Sequence, residues 1–197
     1  HTGRFSGGDK LNLQNLPRNG AIRKAITVPE GDVMVACDSS QIEARMVAYI
    51  AGQDDLVQAF REGRDVYSEF ATEVYGKKVT KDDKIQRFVG KTCILGLGYG
   101  MGHVKFRATL ALGQGGIAVD IDENEAKRIV NLYRQKNHKI VSLWHSCGHA
   151  LTGMVSGASG NICELLPYDK DGITLPNGLK IKYHALRNTA DGFEYIS

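Results

Sequence analysis

The chain has 197 residues, 42% hydrophobic and 24% charged, the composition of a soluble globular protein with room for one sizeable core or for two lobes sharing one. Its 25 Lys and Arg against 22 Asp and Glu leave a net charge of +3, which neither demands nor excludes nucleic acid, because a local basic cleft binds phosphates on a nearly neutral protein. No apolar run approaches the length of a membrane span, and the four dispersed cysteines (Cys37, Cys93, Cys147, Cys163) read as reduced thiols of a cytoplasmic protein.

Residues 1–20, rich in Gly, Asn, Ser and Asp, are expected to be mostly loop. Asp32 to Cys37 is a short apolar, β-branched run after Pro29-Glu30-Gly31, which predicts a buried strand ending at Asp38. Ser39 and Ser40 offer N-caps, and Gln41 to Gly52 reads as a helix. Further helices are expected over 54–62, 65–75, 80–97, 101–112, 122–136 and 138–155. The acidic Asp122-Glu123-Asn124-Glu125 suits a first helical turn. Beyond a flexible break at 156–160, Gly172 to Tyr183 predicts a β-hairpin turning at Asn177-Gly178. Strand, long helical block, then strands again suggests an α/β fold in which a helical insertion rides on a sheet. The terminal sequences read as those of a fragment.

Two patterns carry chemistry. Asp38 closes the expected strand and suits either a helix N-cap or a Mg2+-binding carboxylate, with the Ser39 carbonyl as a further oxygen donor. Glu43, five residues on, suits the helix dipole or the same pocket. The second pattern is Arg87-x3-Lys91-x3-Leu95-x3-Tyr99. Four residues advance an α-helix by about 400°, so successive members drift by only about 40° and share one face. Arg offers a planar fork and Lys a point charge to phosphate oxygens, whereas a solvated basic face would have the same spacing. The glycines between Gly96 and Gly102 resemble a phosphate loop, but they follow a helix where a dinucleotide fold requires a strand, and no Gly-Lys-Ser/Thr ends the run.

Together these pieces resemble family A (polymerase I-like) DNA polymerases. Thr2-Gly3-Arg4-Phe5-Ser6 and Asn12-Leu13-Gln14-Asn15-Leu16-Pro17 are similar to the stretch ahead of that family's motif A. Asp38-Ser39-Ser40-Gln41-Ile42-Glu43-Ala44-Arg45 resembles motif A itself, and Arg87 through Tyr99-Gly100 resembles motif B. Asp65-Val66-Tyr67 and the Leu132-Tyr133 region resemble the flanking helices.

The resemblance implies template-directed transfer of deoxynucleotides to a primer 3′ end, with primer–template DNA and dNTPs as partners. It implies a partial palm sheet with a mainly helical fingers subdomain: palm over 1–50, fingers over 51–155, and a return toward the palm over 156–197. Asp38 and the Ser39 carbonyl would bind metal, with two Mg2+ ions about 3.5–4 Å apart in the complete enzyme. Arg87 and Lys91 would hold the triphosphate, Lys91 also serving as an acid toward pyrophosphate. Gln41, Leu95, Glu43 and Tyr99 would surround the nucleotide, the last two crowding the sugar 2′ position. Arg4, Gln14, Asn15 and Arg18 would lie against DNA.

Two departures stand out. Leu95 occupies a position that is usually aromatic in the family and, with short loops, inclines the reading toward a bacteriophage source. The family's second catalytic aspartate belongs to a His-Asp-Glu motif that this sequence does not contain, so the chain alone is expected to be inactive. Asp169 and Asp171 read as loop caps rather than substitutes. A catalytically inert nucleotide- and DNA-binding fragment and a relative of single-subunit RNA polymerases stay open as alternatives. His145, Cys147 and His149 on one helix point apart by about 200° at each step of two and read as polar surface, not a metal site. Trp144 reads as core, and Lys77, Lys78, Lys81 and Lys84 as a solvated face.

Overall fold

The computed structural model describes residues 8, 16, 21–35, 37–113 and 116–196. The chain divides into two units that meet between Ser40 and Gln41. Arg4, Gln14, Asn15 and Arg18 lie outside the described residues.

In the first unit a short helix, α1 (Ala21–Lys24), leads into a turn in which Asp32 N–H donates to the Pro29 carbonyl. The strand expected over 32–37 is not formed at residues 32–35 or 37, and Val33 and Val35 are 84% and 85% exposed. β-propensity describes a half-buried pleated surface rather than a backbone preference, and this run has neither burial nor a paired neighbour among the described residues.

The second unit is mixed helix and sheet. Its helices are α2 (Ile42–Ala51), α3 (Asp54–Arg61), α4 (Val66–Tyr75), α5 (Lys84–Thr92), α6 (His103–Leu112), α7 (Glu123–Lys136) and α8 (His138–Val155). The expected helices are all present, within one or two residues at most ends, but the one expected over 80–97 is not a continuous α-helix. It begins at Lys84 and passes into a π-helical turn, Cys93–Leu97. The serine caps are also replaced: α2 is preceded by Gln41 in the left-handed region (φ 58°, ψ 28°), with no capping side-chain bond. The acidic start of α7 forms as read, with the Asp122 carboxylate accepting from Glu125 N–H at 2.8 Å.

Among the described residues, six strands follow the helices. β1 (Gly160–Asn161), β2 (Pro167–Asp169), β3 (Gly172–Thr174) and β4 (Lys180–Lys182) make an antiparallel sheet in chain order. β3 and β4 are the expected hairpin, pairing Ile173 with Ile181 and Thr174 with Lys180. Gly178 takes φ 80° in its turn, which glycine adopts without a Cβ penalty. β5 (His184–Thr189) and β6 (Gly192–Ile196) form a second hairpin with an irregular register between His184 and Arg187.

The main core lies among the helices. Phe70, Phe88, Leu97, Phe106, Leu110, Ile129 and Tyr133 are buried together, with Trp144 packed against them as expected. A smaller core of Ala150, Met154 and Ile162 joins α8 to the sheet through Tyr168, Ile173 and Tyr183. No helix among the described residues is long and apolar enough to cross a membrane.

Candidate nucleotide-binding site

The site is organised by the crossing of α4 and α5. Gly90 sits at that crossing, where a Cβ would stand 2.1 Å from the Tyr67 carbonyl oxygen. Only glycine allows this approach, and it brings the start of α4 beside the first turn of α5.

There the Arg87 guanidinium meets the Asp65 carboxylate side-on, with Nε donating to Oδ2 at 2.7 Å and Nη2 to Oδ1 at 3.2 Å. The Arg87 Cζ lies 5.3 Å from the centroid of the Tyr67 ring. Ser68 Oγ donates to the same carboxylate at 2.7 Å. Burial pushes the Asp65 carboxyl upward, but the bonds from Arg87 and Ser68 outweigh it and leave it below the ordinary carboxylate range. Burial likewise raises the Tyr67 phenol, against the opposing effects of the Gln41 side chain, within hydrogen-bonding reach of its hydroxyl, and of Arg87.

One turn along α5, Lys91 enters an open groove of about 430 Å3, lined also by Thr92, Leu95, Gly96, Tyr99, Met101, Lys105 and Thr109. A narrower cavity of about 10 Å3 lies between α2 and the π-helical turn, bordered among others by Glu43, Val47, Leu95, Gly98 and Tyr99. Leu95 and Tyr99 therefore border both spaces.

The four-residue stripe survives only in part. Arg87 and Lys91 lie on α5, but Leu95 lies in the π-helical turn and Tyr99 in the turn beyond it, where Tyr99 N–H donates to the Gly96 carbonyl at 3.2 Å. The wider winding changes the angular step, so the 40° drift of an ideal α-helix does not extend to Tyr99. The buried Gly98 carbonyl at the end of the π-helical turn accepts from Trp144 Nε1 at 3.0 Å.

Lys91, Leu95 and Tyr99 thus share one groove, while Glu43, Leu95 and Tyr99 share the other cavity. Arg87 is held on Asp65, and Gln41 lies beside Tyr67. Asp38 and Ser39 are exposed in the first unit. Their oxygens are of the hard type that Mg2+ prefers, but among the described residues no group of three His, Cys, Asp or Glu side chains gathers to hold an ion. The described residues do not complete a two-ion centre.

The remaining expectations divide cleanly. Asp169 pairs with Lys180 and accepts from Asp171 N–H at 2.9 Å, a loop-capping arrangement. His145 and His149 are exposed while Cys147 is half-buried, as their angular spacing requires. Lys77, Lys78, Lys81 and Lys84 are exposed. Sequence reading missed the partnership of Asp65 and Tyr67 with Arg87. The available signal was an acid at the start of α4, which reads equally well as a helix cap.

Residues 1–153 match the model of the family described as DNA polymerase family A, and the chain belongs to that family. Thermostable DNA polymerase I of Thermus aquaticus is 35% identical over 143 residues, 71% of this chain and 16% of that protein. DNA polymerase I of Chloroflexus aurantiacus is 39% identical over 104 residues, 51% of this chain and 11% of its own. DNA polymerase I of Pseudomonas aeruginosa is 42% identical over a stretch of the same size. The chain therefore spans only 11–16% of the length of these curated relatives.

Proposed function

We propose that this region is the nucleotide-handling part of a DNA-directed DNA polymerase, which transfers deoxynucleotides from dNTPs to the 3′ end of a primer on a DNA template. The observation that carries the reading is the groove shared by Lys91, one turn beyond Arg87 on α5, with Leu95 and Tyr99 from the turns that follow, in a chain of this family.

In this reading Arg87 forks two phosphate oxygens and the Lys91 ammonium neutralises the same triphosphate. Lys91 also delivers a proton to the departing pyrophosphate. Leu95 and Tyr99 face the nucleoside, and Glu43 with Tyr99 narrows the space at the sugar 2′ carbon, which favours the deoxy form over a ribonucleotide. That Glu43 and Tyr99 line one cavity supports the pairing. Residues 1–50 act as palm, 51–155 as fingers and 156–197 as the return toward the palm. Arg4, Gln14, Asn15 and Arg18 contact the primer–template. Asp38 and Ser39 belong to the Mg2+ centre of the complete, cytoplasmic enzyme. The bacteriophage reading rests on Leu95 and the short loops; the relatives named above are bacterial.

Trp144, the only tryptophan and bonded to Gly98, makes the test direct: its fluorescence is followed while dTTP is added. The wild-type chain is expected to saturate, and Lys91→Ala to bind about tenfold more weakly, the effect of one charge-assisted phosphate contact. No saturation, or equal affinity in the variant, refutes the assignment.

A further inference from the structure

We infer that Asp65 is a positioning residue, which with Tyr67 holds the Arg87 guanidinium side-on so that its opposite edge is offered to a phosphate. The inference rests on the reading of Arg87 as a triphosphate ligand, and adds residues that this reading does not contain.

A guanidinium has five N–H donors in a fixed plane. Asp65 takes Nε–H and one N–H of Nη2, both on one edge. The two donors of Nη1 and the outer donor of Nη2 remain, which is the fork a phosphate uses. A phosphate therefore does not have to displace Asp65. The burial of the pair agrees: the Asp65 side chain is 13% exposed, whereas that of Arg87 keeps 31% of its surface open.

The holder is itself held. Ser68 fixes the carboxylate from within α4. The Tyr67 ring supports the guanidinium from one side, where its π face attracts a cation. The Tyr67 backbone is pressed against Gly90, three residues from Arg87, so the platform and the helix it serves cannot slide apart without opening this close approach. Gln41, beside the Tyr67 hydroxyl, takes a left-handed conformation unusual for its type, at the point where the chain leaves Asp38-Ser39-Ser40. The network therefore runs from Gln41, within the motif A-like segment, to the triphosphate arginine.

The energetic gain is preorganisation. An arginine on an open helix face samples many rotamers and loses that freedom when it binds an anion. Asp65 imposes the loss during folding, so the triphosphate no longer opposes it.

Inorganic tripolyphosphate, which lacks sugar and base, isolates the phosphate contacts. Binding to the 197-residue chain is followed by Trp144 fluorescence and by calorimetry for the wild type, Asp65→Asn, Asp65→Glu, Arg87→Ala and the Asp65→Asn/Arg87→Ala double variant. Asp65→Asn is expected to weaken binding about fivefold, the scale of one rotamer-rich side chain set free at a binding site. Asp65→Glu restores most of that loss, and the double variant binds no more weakly than Arg87→Ala alone. Three results overturn the inference: unchanged or tighter binding by Asp65→Asn, additive losses in the double variant, or a lowered melting temperature as the only effect of Asp65→Asn. Failure of Arg87→Ala itself to weaken binding removes the triphosphate role of Arg87 and this inference with it. Loss of affinity in Arg87→Ala without loss in Asp65→Asn removes the inference alone.

Discussion

The indole of Trp144, in α8, is hydrogen-bonded at 3.0 Å to the carbonyl oxygen of Gly98, the residue that ends the π-helical turn of the candidate nucleotide helix. A π-helical turn disturbs the regular ladder and leaves its end in need of an outside partner, and α8 supplies one. Trp144→Phe keeps a ring in the core but removes the donor. The buried carbonyl is then unsatisfied, at an expected cost of about 1–3 kcal/mol. Urea denaturation followed by circular dichroism measures the loss, and hydrogen exchange should show it concentrated near residues 98–100. An unchanged midpoint refutes the assigned role of this bond.

Gly90 offers the sharpest steric test. Its missing Cβ lies 2.1 Å from where the Tyr67 carbonyl oxygen stands, and that oxygen belongs to helix backbone that cannot swing away. Gly90→Ala raises helix propensity by about 1 kcal/mol in isolation. Here α4 and α5 must separate, and overpacking of this kind costs about 1–3 kcal/mol or more. The expected outcome is a lower melting temperature despite the better helix former. Stabilisation would show that the two helices separate without penalty.

These two contacts show where sequence reading succeeds and where it stops. The helices from α2 to α8 were legible because periodicity, acidic first turns and glycine ends act locally, and the β3–β4 turn was legible because Asn177-Gly178 determines its geometry from within. The strand expected at 32–37 was not, since its apolar residues gain from pairing only if another backbone lies alongside. The π-helical turn was invisible because Cys93–Leu97 has no local feature separating it from α-helix; Trp144, 46 residues beyond Gly98, helps to decide it. Lys91, Leu95 and Tyr99 were found by spacing, yet Arg87 was read as facing a ligand alone. Its carboxylate partner comes from another helix, 22 residues earlier, which no spacing rule on α5 can reveal.

Leu95 borders both the open groove and the narrow cavity beside Glu43. Leu95→Phe would extend a flat ring into the groove, where it can stack on a sugar and base as an aliphatic chain cannot. Single-turnover incorporation of dTTP and ddTTP by the complete polymerase should show a changed rate or a changed preference between them. Identical kinetics for both substrates refute a role for Leu95 in nucleotide contact.

The Asp65–Arg87 pair makes a prediction about pH. The folded carboxyl is depressed, so its contribution to stability is present above the unfolded value of about 3.9 and is lost as pH falls through the folded value. The stability difference between wild type and Asp65→Asn should therefore be full at neutral pH and shrink at increasingly acid pH below about 4. Denaturation curves at three pH values test it. A difference that grows on acidification reverses the sign and excludes the proposed linkage.

In the proposed reading Glu43 and Tyr99 crowd the sugar 2′ position, and both line one narrow cavity of about 10 Å3. Glu43→Ala opens its wall without touching Arg87 or Lys91. Affinity for dCTP should fall little, while CTP, with its 2′ hydroxyl, should bind about tenfold better than it does to the wild type, the scale at which a pocket wall rejects an added hydroxyl. Titration of both nucleotides against Trp144 fluorescence gives the ratio directly. If CTP and dCTP change in parallel, Glu43 contributes to nucleotide binding in general, and discrimination at the 2′ position must come from Tyr99 or from elsewhere in the enzyme.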